Sequence, residues 1–246
     1  MFFSPLEQFE NHLFFPIFVF NYDLSLTSFS ISLTFSFIFF NLLFLLNLTR
    51  LYIIPTPIQY ILENFYMFVI GMLRSQTGFS GFQYFPLVIT VFSFIFCCNF
   101  LGLIPFSFTS TAQIFLPFFL SLSLNFGLVL IGFFNHGFTF FKLFIPSGIS
   151  AFLIPLVFVI ELSTYVLRPF SLALRLFANI MAGHTLLFIC SITLYIGIVS
   201  SAFVFATGVL LVFAVFSLEL LISFLQAYVF SVLFCVYLND SLHPVH

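Results

Sequence analysis

Glu161, Arg168 and Arg175 follow one another at intervals of seven residues in a stretch that is otherwise mostly Leu, Phe, Ile and Val. Seven residues is nearly two helical turns, so a helix carries all three on one face. Thr164, Ser171, Ala178, Asn179 and Ala182 complete a stripe of polar and small side chains on that face. A second apolar stretch repeats the device with Glu219, Ser223, Gln226 and Asp240. Asp, Glu and His can relay protons, whereas Arg stays protonated in a protein and interrupts a relay, while still holding a partner carboxylate ionised. Together these residue types can move protons on either side of a fixed cation. The same groups could instead be interhelical hydrogen bonds and ion pairs that only hold a bundle together.

If the two stretches are antiparallel helices, facing residues have a constant sum of numbers. Arg175 with Gln226 and Glu161 with Asp240 each give 401, and His184 with Glu219 gives 403. A hairpin with that sum turns at 200 to 201, where G-I-V-S-S at 197 to 201 supplies the turn signal. The pairing predicts three levels, with Glu161 and Asp240 at one end, Arg175 and Gln226 in the middle, and His184 and Glu219 toward the other end. At 1.5 Å per residue, Glu161 lies ~21 Å from Arg175 and Arg175 lies ~13 Å from His184, with His184 roughly 180° round the helix from the arginine. Titratable groups at both ends, split by a permanent cation, describe two half-paths and not one open pore. Arg168, beside Pro169, fits either the headgroup region or the stripe, and His136 in N-H-G reads as a loop residue.

The elements that must position these residues follow from composition. The chain is 63% hydrophobic and 5% charged, where a soluble domain has about 25% charged residues. So little polar surface cannot cover a soluble core, and the apolar residues run the whole length, so residues 1–246 read as one membrane domain. The expected architecture is all-α and polytopic, with about five transmembrane helices plus one interfacial amphipathic helix. Residues 28–49 supply the first span, 58–73 the interfacial helix after P-T-P, 85–134 a helical hairpin, and 147–238 a long hairpin bearing the polar stripe. Arms of about 36 to 41 residues would be ~54 to 61 Å long against a hydrocarbon core of ~30 Å, which predicts steep tilt. Arg50, Arg74 and Lys142 fall in stretches on one side, while Glu7, Glu10 and Asp23 precede the first span without a Lys or Arg. The cation bias therefore places the amino terminus outward and the carboxy terminus inward.

Several function classes are excluded or weakened. A net charge of −2 with five Lys plus Arg leaves no basic patch for nucleic acid. Cys97, Cys98, Cys190 and Cys235 sit in apolar runs without metal-ligand spacing and read as buried thiols, so no metal or cofactor is expected. Nothing resembles a phosphate-binding loop, a secretory signal or a transit peptide. A secondary proton-coupled transporter or antiporter, with the central Arg binding an anion, is the main competing class, though no internal repeat relates the halves. A haem- or quinone-binding respiratory subunit would want several histidines deep in spans, and only His184 lies there.

The run E-L-S-T-Y-V-L-R-P-F-S-L-A-L-R-L-F-A-N-I-M-A-G-H-T-L-L at 161 to 187 strongly resembles the signature of subunit a of F-type ATP synthases. L-E-L-L-I-S-F-L-Q-A-Y-V-F at 218 to 230 resembles that family's last helix. C-N-F-L-G-L-I-P-F-S-F-T-S-T at 98 to 111, the opening F-F-S-P-L-E-Q-F-E and the A-G-H form at 182 to 184 resemble its mitochondrial members. The resemblance implies that Arg175 is the essential arginine facing the ring carboxylate, and that Glu161, Asn179, His184, Glu219 and Gln226 line proton half-channels, with Asp240 near the inner exit. It implies c-ring proteolipid subunits, other membrane-sector and peripheral-stalk subunits, the lipid bilayer and protons as partners. It further implies a mitochondrial inner-membrane location with the amino terminus toward the intermembrane space and the carboxy terminus toward the matrix, and a catalytic head on other chains. The Phe enrichment and Pro169 depart from the family pattern and leave the local helix shape open.

Overall fold

A computed structural model describes residues 7–19, 22–23, 25–48, 55–104, 107–137, 140, 153–200 and 202–243. Thr49, Arg50, Lys142 and the expected opening of the long hairpin at 147–152 lie outside the described residues. Among the described residues six α-helices dominate: α1 (Ser28–Leu48), α2 (Pro57–Thr77), α3 (Phe85–Gly102), α4 (Phe115–His136), α5 (Ile154–Ser200) and α6 (Ala202–Leu242). Four of the apolar runs, Phe82–Gly102, Phe115–His136, Ile154–Tyr195 and Ala202–Leu242, are long and apolar enough to cross a membrane. The chain is an all-α polytopic membrane protein, as its composition predicts.

Local chemistry accounts for the helix boundaries. Thr56 caps α2 by accepting a hydrogen bond from the Gln59 backbone N–H at 3.4 Å, and Pro57 takes the first helical position, where its missing N–H costs nothing. The helix runs on to Thr77, past the expected end at 73, and buries Val69, Met72 and Leu73 while exposing Ile58, Ile61 and Met67. Helix α5 passes through Pro169 without ending. At the tip of the α5–α6 hairpin a Cβ on Gly197 would stand 2.8 Å from the Phe205 backbone, so only glycine allows that approach.

The described chain forms two compact units. One comprises Met1–Leu45, Ser93–Ile114 and Leu176–Ala227. Its core gathers Ile95, Cys97, Cys98, Leu101, Leu176, Ile180 and Cys190. It also holds an amino-terminal hook that hydropathy did not predict: a 3-10 turn at Glu7–Phe9, then strands β1 (Leu13–Phe15), β2 (Phe18–Val19), β3 (Tyr22–Asp23) and β4 (Leu26–Thr27). β1 pairs antiparallel with β4, and β2 with β3. Ser28, at the head of α1, closes the hook through His12 N–H to Ser28 Oγ at 3.2 Å and Ser28 N–H to His12 O at 3.0 Å.

The other unit comprises Leu46–Phe92, Phe115–Arg175 and Tyr228–His246. Val69, Leu73, Val88, Phe92, Leu128, Leu172, Phe230, Phe234 and Leu238 form its core. His136 ends α4 instead of standing in a loop, and its Nε2 meets the Leu242 carbonyl at 2.9 Å. The contact provides for one of the carbonyls that the end of α6 leaves without an intrahelical partner. The four cysteines are free and buried.

Candidate functional site

Arg175 lies on an exposed row of α5 with Thr164, Ser171, Ala178 and Ala182. It makes no ion pair or hydrogen bond with any described residue. The row is flanked by exposed Leu167, Leu174 and Leu186. Small side chains beside the guanidinium leave it accessible to another protein, and a cation on a membrane-spanning helix costs at least ~2.5 kcal/mol at mid-bilayer without one.

Among the described residues, two sets of ionisable side chains form pairs. In the unit containing the hairpin tip, His184 Nε2 stands 3.5 Å from Glu219 Oε1, with both side chains largely covered. Glu219 Oε1 and Oε2 have no hydrogen-bond partner among the described residues. Gly183 makes room for this carboxyl: a Cβ there would come within 2.8 Å of Glu219 Oε1. One turn along α6, the buried Ser223 offers its carbonyl to Asn99 Nδ2 on α3 at 3.5 Å, leaving Asn99 Oδ1 and Ser223 Oγ unpartnered among the described residues. Asn179 Nδ2 donates to Gln226 Oε1 at 2.8 Å. A titratable imidazole and a carboxyl this close, next to buried hydroxyl and amide oxygens, can hold a proton and hand it on.

In the other unit Arg168 Nη1 donates to Asp240 Oδ2 at 3.3 Å. Its guanidinium also lies over the Tyr165 ring at 5.1 Å and the Tyr237 ring at 4.7 Å. Beside it Ser121, Asn125, Pro169 and Tyr237 line a cavity of about 10 Å³, roughly the least that admits one water molecule. Glu161 is half-buried and carries no ion pair with a described residue.

The structure thus joins His184 to Glu219 as the numbering predicts, but it corrects the other two pairings. Gln226 meets Asn179, one turn beyond Arg175, and Asp240 meets Arg168 instead of Glu161. The cause is the direction of helical side chains, which lean toward the amino end of their own helix. In an antiparallel hairpin, α5 side chains therefore lean away from the turn and α6 side chains lean toward it. Contacting partners then lie farther from the turn than the backbone register implies. Backbone neighbours Leu194 and Gly208, like Gly197 and Phe205, sum to 402. His184 with Glu219 sums to 403, Asn179 with Gln226 to 405, and the long Arg168 with Asp240 to 408. The expected single stripe also divides. Arg168 and Asn179 sit roughly 20 to 40° round the helix from Arg175, at 100° per residue, toward the buried Leu172 and Leu176. Sequence reasoning missed Asn99 and the space made by Gly183. An Asn inside the apolar run of α3 was the available signal for the first.

A polytopic helical protein whose α5 exposes an arginine without a described partner, and which covers a His184–Glu219 pair, has the features of the class that conducts ions within the membrane. The ATP synthase A chain family matches residues 27–239. ATP synthase subunit a of Acanthamoeba castellanii is 43% identical over 100% of both chains. That of Bartonella henselae is 40% identical over 99% of this chain and 98% of its own, and that of Brucella ovis is 40% identical over 99% of each. The chain belongs to the ATP synthase A chain family, which decides against the secondary-transporter reading.

Proposed function

We propose that this chain, the proton-translocating stator subunit of an ATP synthase membrane sector, moves protons along two half-paths to and from the carboxylates of a c-ring that passes Arg175. A proton from the outer side reaches His184 and Glu219 and then neutralises a ring carboxylate. The neutral site turns into lipid without the cost of burying a charge. After nearly a full revolution a ring site reaches the inner half-path by Glu161 and Asp240, releases its proton, and becomes an anion attracted by Arg175. Asn179 and Gln226, hydrogen-bonded to one another, line the outer path near the arginine. The guanidinium keeps its charge and so prevents a proton from crossing between the half-paths without the ring.

The single observation that carries this reading is Arg175, exposed among small side chains on a membrane-spanning helix and without a charge partner among the described residues. Membership of the family supports other ATP synthase subunits as partners, and the proposal extends these to the c-ring proteolipids and the peripheral stalk, with nucleotide chemistry on a separate head. The proposed setting is the mitochondrial inner membrane, amino terminus toward the intermembrane space and carboxy terminus toward the matrix. The orientation is supported by the acidic, Lys- and Arg-free segment before α1. In the assembled complex, Arg175→Ala and Arg175→Gln should abolish proton-coupled ATP synthesis, and Arg175→Lys should retain little, because a lysine loses its charge when desolvated. Full coupled synthesis by Arg175→Ala, measured in sealed membrane vesicles, would refute the assignment.

A further inference from the structure

The His184–Glu219 pair is touched by a residue from the far end of the chain. The rings of Phe9 and His184 are 6.3 Å apart between centroids and cross at 83°, a distance and angle typical of an edge-to-face pair. Phe9 is held there by the side-chain amide of Gln113, which spends both ends on the hook. Gln113 Nε2 donates to the Phe9 carbonyl at 3.3 Å, and Gln113 Oε1 accepts from Asn11 Nδ2 at 3.1 Å. Asn11 is fixed in turn by Ser28 Oγ, which donates to its Oδ1 at 3.4 Å, while Ser28 and the His12 backbone exchange two hydrogen bonds. The tether therefore runs from α1 through the hook to the segment between α3 and α4, and its Phe9 ring lies against the imidazole.

We propose that Phe9 is a positioning residue for His184, and that the amino-terminal hook is the strap that holds it in place. The argument rests on the reading of His184 and Glu219 as the outer proton path. At 3.5 Å the Nε2 to Oε1 separation lies at the long limit of a hydrogen bond. The imidazole's outer torsion has a broad, roughly two-fold preference that local packing must narrow. On the α6 side the imidazole faces the Glu219 carboxyl, and Phe9 packs against it from the hook. Being apolar, Phe9 restrains the ring without offering an acceptor that competes with Glu219.

The test uses the assembled complex in membrane vesicles, reading passive proton flow and ATP-driven pumping. Phe9→Ala should slow proton flow on the order of tenfold, since misplacing a reacting group by ~1 Å can cost more than that. Phe9→Tyr, which keeps the ring, should retain flow. Added to His184→Ala, Phe9→Ala should slow flow no further, because residues acting through one another are not additive. Normal flow in Phe9→Ala overturns the proposal, and so does an equal further loss in the His184→Ala background. If Phe9→Ala does not assemble, Gln113→Leu releases the strap while leaving Phe9 in the chain. Slow flow in an assembled Gln113→Leu complex supports the proposal, and normal flow or failed assembly there overturns it. If His184→Ala and Glu219→Leu themselves conduct normally, the outer-path reading fails and the strap falls with it. Normal flow confined to Phe9→Ala removes the strap alone.

Discussion

A methyl group at position 183 and the Glu219 carboxyl cannot occupy the same place, since the added Cβ would stand 2.8 Å from Oε1 and 3.1 Å from Cδ. The contact is with the carboxyl end of a buried side chain, so relief requires moving the group that faces His184. Gly183→Ala should therefore assemble but conduct protons on the order of ten- to a hundredfold more slowly, the scale expected when a reacting group is displaced by about 1 Å. Proton flow normalised to the amount of assembled complex measures this, and an unchanged rate would show that Glu219 is free to shift. The two arginines of α5 differ sharply at the same scale. Arg168 is clasped by Asp240, Tyr165 and Tyr237, so its charge is spent inside the protein. Arg175 has no such clasp among the described residues and remains available to an outside carboxylate.

Between helices, register is set by backbone approach and read through side chains that lean. A Cβ on Gly208 would lie 3.6 Å from the Leu194 Cβ, within the ~3.5 to 4.5 Å that a disulfide spans. In a background with the native cysteines replaced, Gly208→Cys with Leu194→Cys should cross-link readily on mild oxidation. Thr207→Cys with Leu194→Cys, the pair that the sum of 401 would put level, should not. Efficient linking of the second pair would restore the simpler register. Much of this scale was legible in the chain itself. Long apolar runs, Thr56–Pro57 and the glycine and serines at 197 to 201 mark where α2, α5 and α6 begin or end. The cross-helix partners were not, because an antiparallel sum locates Cα atoms while hydrogen bonds join side-chain tips that can be several residues away. Nor was the hook legible: its strands are two or three residues long, and its fastening depends on Asn11, Gln113 and Ser28, which are remote in sequence.

For the whole molecule, the decisive quantity is helix length against bilayer thickness. Helices α5 and α6 contain 47 and 41 residues, and a helix of that size extends roughly 60 to 70 Å at 1.5 Å per residue. The hydrocarbon core measures ~30 Å, and ordinary spans tilt ~20°, seldom beyond ~40°. Two ways of accommodating such helices remain. Either each stands near the membrane normal and projects half its length into water, or each leans by ~60° and stays within the bilayer, by the same rise and thickness. Composition favours leaning, because apolar side chains are exposed along the length of α5 and along α6 as far as Tyr228. Leu156, Val159 and Tyr195 are exposed on α5, and Phe203, Leu210, Phe213, Leu221 and Leu225 on α6. Projecting such faces into water would expose far more contiguous apolar surface than a soluble segment carries. The prediction is that spin labels at Leu156, Arg175, Leu186 and Tyr195 in lipid vesicles will report depths that change by about 0.75 Å per residue, half the helical rise. A change near the full rise, with the ends of α5 freely accessible to aqueous relaxants, would rule out the lean. Under the proposed function, a leaning helix would carry Arg175 across the side of a rotating ring instead of parallel to its subunits, so that the groups before and after the arginine would meet different ring helices. On that proposal, two half-paths offset laterally as well as in depth would make a proton's passage require rotation.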